Sequence, residues 1–205
     1  MKEKWAVLVL TMGLLFPLSA CSGEGGADAD GAALSVRGAY LSMSGCSGTL
    51  EVTADYGQRV YTYGMALDWS RDGETVLELT SPEEVAGLRA RLTEEGGALE
   101  YDGVSVETGP LTGEGLSPME APLALLDGVR EGYLASTGLE TVDEREELHL
   151  VIRAPEGVPG TGTELEVWCD PETGALLRGE ILSDGRTVVT CEFQSFTMEG
   201  EEEKN

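Results

Sequence analysis

LEVWCDPETGALLRGEILSDGRTVVTCEFQSF, residues 165–196, holds three runs of alternating apolar and polar residues separated by two turns. Asp170-Pro171-Glu172-Thr173-Gly174 is the first turn: proline pre-sets φ, the aspartate side chain bonds nearby backbone N–H groups, and glycine accepts φ > 0. Ser183-Asp184-Gly185-Arg186 is the second. Connections this short join antiparallel neighbours and leave no room for a crossover helix. The stretch therefore predicts a meander with strands at 163–170, 175–183 and 187–196.

The same pattern extends towards the N-terminus. ELHLVIRA (147–154) alternates and predicts another strand. GTLEVTAD (48–55), QRVYTYGMALDW (58–69) and TVLELT (75–80) predict three more, with turns at Tyr56-Gly57 and Asp72-Gly73. ALEYDGVSVET (98–108) reads as a hairpin around Asp102-Gly103. Ser81-Pro82-Glu83-Glu84 has the chemistry of a helix start, but Gly87 follows, and Leu88, Ala90 and Leu92 alternate with Arg89 and Arg91. One helical turn and then a strand is expected there. Ser117-Pro118 opens the one long helix, expected over residues 119–136, with Leu123, Leu126, Val129, Tyr133 and Leu134 on one side. About nine antiparallel strands and one long helix make an α+β layout. The concave face of a curved sheet is where the helix would bury its apolar stripe.

LTSPEEVAGL, then EYDG, then the opening stretch are similar in order and spacing to the LolA/LolB/RseB-like lipoprotein fold family. The resemblance is nearest to the GerS-type germination lipoproteins of spore-forming Gram-positive bacteria. It spans roughly residues 40–198 and rests on the Ser-Pro-Glu-Glu turn (81–84), Asp-Pro-x-Thr-Gly (170–174), the Asp-Gly turn (184–185) and a final strand carrying Glu192, Phe193 and Phe196. It implies an open half-barrel of antiparallel strands whose apolar cavity is plugged by helices. Carriers of the family hold acyl chains there, whereas GerS-like members bind and activate a cell-wall amidase. On that reading Leu50, Val52, Leu123, Leu126 and Phe193 are representative cavity-lining residues. The carriers are soluble, and the N-terminus of this chain departs from them.

Residues 1–4 (MKEK) are a short basic start, and Trp5 to Phe16 carry no charge. Such a run suits a signal peptide and falls short of the ~20 apolar residues of a spanning helix. Leu18-Ser19-Ala20-Cys21 then resembles the bacterial lipobox. That implies removal of residues 1–20, diacylglycerol on the Cys21 thiol, and an anchor on the extracytoplasmic face of the bacterial cell membrane. Residues 21–33 are expected to be the lipidated cysteine and a flexible tether without apolar periodicity. Residues 34–198 would be the LolA-like domain, expected to be monomeric, and 199–205 an acidic tail. Asp and Glu number 38 against 13 Lys and Arg, a formal charge of −25. A surface of that sign repels nucleic acid and anionic headgroups, so the membrane is reached through the lipid alone.

Little in the chain points to catalysis. His149, the single histidine, alternates with Leu148 and Leu150 and should face away from the core; no nucleophile elbow or Cys-His spacing accompanies it. No catalytic residue, metal ligand set or cofactor is expected. Beyond Cys21 the thiols are Cys46, Cys169 and Cys191. Cys169 and Cys191 fall on strands separated by a third, too far apart to bridge. A Cys46–Cys191 disulfide is expected if the sheet curls its ends together; Cys46 with Cys169, or three buried thiols, are the other arrangements. The chain thus reads as a binding protein. Its partner would be an envelope protein such as a cell-wall amidase or, alternatively, an acyl chain or lipoprotein.

Overall fold

The structure is a computed structural model and describes residues 24–93, 96–108 and 115–200. It opens with a helix, α1 (Glu24–Ser42), followed by six strands: β1 (Met43–Asp55), β2 (Val60–Ser70), β3 (Thr75–Ser81), β4 (Arg89–Thr93), β5 (Gly96–Tyr101) and β6 (Val104–Thr108). A second helix, α2 (Ala121–Glu131), leads to β7 (Tyr133–Val142), β8 (Arg145–Arg153), β9 (Thr163–Cys169), β10 (Leu176–Ser183) and β11 (Arg186–Gly200). All eleven strands form one antiparallel sheet in the order β6-β5-β4-β3-β2-β1-β11-β10-β9-β8-β7. Two meanders, β1–β6 and β7–β11, are therefore joined by the ladder between the first and last strands. The sheet does not close on itself, as an open half-barrel requires, and the described residues include two helices where one long helix was expected.

The opening stretch folds as its chemistry dictates. Asp170 Oδ1 accepts from the backbone N–H of Glu172 at 3.1 Å, from that of Thr173 at 2.8 Å and from the Thr173 hydroxyl at 3.0 Å. Gly174, at φ 73°, closes the turn by donating to the Asp170 carbonyl at 2.8 Å. Asp184-Gly185 and Asp102-Gly103 are two-residue turns with both residues at positive φ, the twist that suits a hairpin. The Ser81–Gly87 segment makes hydrogen-bonded turns, Val85 N–H to Pro82 O at 3.1 Å and Leu88 N–H to Val85 O at 3.1 Å, with no α-helix. The expected strand follows as β4.

Three expectations need correction. First, the segment expected to be a tether is helical from Glu24 onward. Ala29, Ala33, Val36 and Tyr40 are buried at the i, i+4, i+7, i+11 spacing of one helix face. The stripe begins with alanines among Gly and Asp, so its period is muted in the sequence. Second, the long helix stops at Glu131 rather than residue 136. Gly132 turns extended at φ −63°, ψ 156°, and Tyr133 and Leu134 start β7, a strand the sequence reading lacked. Third, β11 continues through Glu199 and Gly200 by pairing with Met43 and Gly45, so the acidic tail begins later than expected. The expected signal peptide, Cys21 with its expected lipid, and residues 201–205 lie outside the described residues.

α2 carries the chain from one edge of the sheet to the other and crosses its apolar face on the way. The core lies between that face and the two helices. β1 contributes Leu50 and Val52, β8 Leu148 and Leu150, and β9 Val167, against Tyr40 of α1 and Leu125, Leu126 and Val129 of α2. Fully burying a leucine or valine contributes about 1.5–3 kcal/mol. Arginines hold the helices in place. Arg37 of α1 reaches the C-terminal end of α2, with Nε 2.9 Å from Val129 O and Nη2 2.7 Å from Gly132 O. Arg71 in turn donates to the carbonyls of Leu41 and Met43 (2.6 Å) at the end of α1. Each cation satisfies orphan carbonyls at the negative end of a helix dipole.

Candidate binding surface

The apolar face of the sheet is the first place to look for a site, and α1 and α2 pack against it. Leu50, Val52 and Leu126 are at most 1% exposed, while Leu123 and Phe193 are half-buried against the same core. Leu50, Val52 and Leu126 are thus part of the packed core, whereas Phe193 also lines a surface groove of about 400 Å³ with Trp168 and Arg178. The fit leaves no slack. A Cβ on Gly179 would stand 2.3 Å from Leu125 Cδ1, and one on Gly128 would stand 2.5 Å from Leu165 Cδ1. Tyr40 is fully buried, donates to Gly174 O at 2.9 Å and stacks on Phe196 with centroids 6.1 Å apart. Burial raises its phenol well above the usual range.

Beside α2 there remains a surface groove of about 510 Å³, walled by Ala124, Gly128, Gly132, Ile152 and Leu165. Asp127 and Glu131 stand at its rim with Arg153. Burial raises the Asp127 carboxyl, and the neighbouring Arg130, 3.2 Å away, opposes that shift.

On the opposite face of the sheet, register sets His149, Trp168 and Arg178 side by side on β8, β9 and β10. The imidazole lies flat on the indole, with centroids 4.4 Å apart and planes 3° from parallel. The Arg178 guanidinium carbon is 5.0 Å from the indole centroid. Glu140 binds two of the three, with His149 Nδ1 at 2.8 Å and Trp168 Nε1 donating at 3.3 Å. The indole N–H, and His149 after it, hold the Glu140 carboxyl below its usual range. His149 Nε2 is 3.4 Å from Glu166. His149 thus faces away from the core, as its strand position predicts. Among the described residues no cluster of three or more His, Cys, Asp or Glu side chains is arranged to hold a metal ion. The row packs a sheet surface.

The expected disulfide is absent. Cys46, Cys169 and Cys191 are free and buried. Cys46 pairs with Met198 across the central ladder, while Cys191 pairs with Val52. Six strand residues separate the two positions, roughly 20 Å at ~3.3 Å per residue, against a Cα limit near 7 Å. Burial pushes the Cys46 and Cys169 thiols up to about 12 and raises Cys191 as well, so none is a ready thiolate.

The two edges of the sheet differ. β7 is flanked by α1, where Asp30 Oδ1 accepts from Thr137 Oγ1 at 2.5 Å. On β6, residues 104–107 are all exposed, and no helix among the described residues lies against the strand as α1 lies against β7. Val104 and Val106 are 64% and 58% exposed, and Tyr101, opposite Val104, is 46% exposed. Sequence reading predicted this hairpin but could not show that it ends the sheet, because strand order is set by distant pairing. No helix among the described residues is long and apolar enough to cross a membrane.

No known family profile matches the chain, and no curated protein does. Solved structures do match it. A putative outer membrane lipoprotein-sorting protein domain from Vibrio parahaemolyticus aligns at a TM-score of 0.44 and 14% identity, covering 84% of this chain and 93% of that one. A LolA superfamily protein from Nitrosomonas europaea aligns at 0.40 and 10% identity, covering 86% and 96%. A chain from the structure of the Clostridioides difficile CwlD amidase in complex with the GerS lipoprotein aligns at 0.38 and 14% identity, covering 80% and 88%. These names include the LolA-type and GerS-type proteins that the turn and strand motifs resemble.

Proposed function

We propose that this protein is a membrane-anchored, extracytoplasmic lipoprotein that acts by binding an envelope protein rather than by catalysis or lipid carriage. The observation that carries the reading is the filled concave face. A carrier of acyl chains needs an apolar cavity of several hundred Å³ within the fold. Here α1 and α2 occupy that space, with Tyr40, Leu125 and Leu126 fully buried against the sheet. What is left outside is a folded scaffold with exposed edges and grooves, which suits recognition of another protein. The lipobox-like LSAC, ending in Cys21, supports the anchor, and a chain of charge −25 stays clear of anionic headgroups except through its lipid. The role is that of an adaptor or regulator, as the GerS-type resemblance of the sequence implies.

A second reading has one observation in its favour. The groove of about 510 Å³ beside α2 has Ile152 and Leu165 in its wall and would serve an acyl-chain or lipoprotein acceptor if α2 swung outward. Native mass spectrometry of the protein taken from bacterial envelopes separates the two. A bare protein mass, beyond the lipid on Cys21, is expected. An additional lipid released on denaturation would overturn the adaptor reading in favour of the acceptor. Replacement of Cys21 by alanine is expected to move the protein from the membrane to the soluble fraction; unchanged partitioning would remove the anchor.

A further inference from the structure

We propose that β6 is the docking edge of this protein and that it accepts one extended segment of a partner, alternating apolar and cationic residues, as a twelfth strand. The inference deepens the binding role proposed above and rests on it. β6 is one end of the strand order, and no helix among the described residues flanks it as α1 flanks the other end. Register tells which of its backbone groups are free. Asp102 (φ 48°) and Gly103 (φ 77°) form a two-residue hairpin turn, so Tyr101 and Val104 exchange hydrogen bonds, as do Leu99 and Val106 two residues on. The N–H and C=O groups of Ser105 and Glu107 therefore point away from β5. An exposed edge of this kind is a template for pairing, and it carries no proline, lysine or bulge to block a partner.

The side chains define the partner. Val104 and Val106 share the face of Leu99 and Tyr101, giving an added strand an apolar row to lie against. Ser105 and Glu107 project to the other face. Every charge on the hairpin is acidic: Glu100, Asp102 and Glu107. Glu100 is already held by Arg91 at 2.8 Å, whereas Asp102 and Glu107 make no ion pair among the described residues. Lys or Arg at alternate positions of the incoming strand would meet Glu107 while apolar residues between them meet the valines. A second copy of this chain is the poorer occupant, because it brings the same acids to the same edge.

The probe is a pair of capped eight-residue peptides, one alternating Lys with Val and the other Glu with Val. Hydrogen exchange is followed on the purified full-length protein. The lysine peptide is expected to slow exchange over residues 104–108 at least tenfold, and more at low salt than at high salt. The glutamate peptide is expected to leave it unchanged. Glu107→Pro removes an outward donor without touching the β5–β6 ladder and should abolish the slowing. Glu107→Lys keeps the backbone and should weaken the lysine peptide at least fivefold, which covers the case in which the proline variant does not fold. Equal protection by both peptides, protection confined to β7, or none at all would overturn the docking edge. Protection that rises with protein concentration alone would overturn it in favour of self-pairing. A lipid-free protein that ignores the lysine peptide would sink this edge and leave the adaptor reading standing; a releasable lipid would sink the adaptor reading itself.

Discussion

At the scale of single residues, side-chain volume is decided where strands and helices touch. Gly179 is open to the core, and a methyl group there would meet Leu125 at 2.3 Å. Gly179→Ala is expected to destabilise the protein by about 1–3 kcal/mol, read from urea unfolding. A neutral result would mean that α2 stands off the sheet. Asp170 tests the turn chemistry. The backbone N–H of Thr173, its largest influence, holds the carboxyl below the ordinary value, so its contribution is present at neutral pH and lost as pH falls through the folded pKa. Asp170→Ala should therefore be less stable than the native chain at pH 7. The gap should narrow as pH falls from about 5 to about 2. A gap that is constant across that range would mean the aspartate acts only through its packing.

At the scale of elements, Arg37 links the two helices. Arg37→Met keeps most of the side-chain volume but strips the carbonyls at the end of α2 of a charged donor. A loss of about 1.5–3 kcal/mol is expected, together with faster amide exchange in the last turn of α2. Unchanged exchange there would show that water replaces the guanidinium. The elements that sequence made legible are those with explicit punctuation. Asp-Pro-Glu-Thr-Gly, Ser-Asp-Gly-Arg and Asp-Gly each mark a turn by residue type, and the strands around them alternate cleanly. The β7–β8 hairpin has no such mark: Asp143-Glu144 adopts φ 48° and 67° without a glycine. Ahead of it, the pattern of α2 runs on in sequence through Tyr133 and Leu134 although Gly132 has already turned extended. α1 is faint in the sequence because its buried face begins with Ala29 and Ala33, whose small side chains barely disturb the composition of a loop. Of the expected cavity residues, Leu50, Val52 and Leu126 are buried in the core. Whether the apolar face stays open depends on a helix whose own signal is faint.

At the scale of the whole molecule, the sheet is two meanders held together along β1 and β11. A chain ending at Ser183 would retain ten strands yet lose the strand that joins the halves. It is expected to show no cooperative unfolding transition and to bind a hydrophobic dye, measured by thermal melting and fluorescence; a sharp transition would mean that one meander folds alone. The expected disulfide fails at this scale too, because the register of the central ladder separates Cys46 from Cys191 while the local sequence around each says nothing of that pairing. The same seam bears on the order of events during synthesis. β1 is made well before β11, with more than a hundred residues of intervening chain between them. One side of β1 can zip to β2 at once, but the other stays bare until β11 has emerged from the ribosome. Closure of so distant a pair is slow. For as long as it is pending, the newborn polypeptide presents an unfinished central strand, and that interval is when it most needs a chaperone.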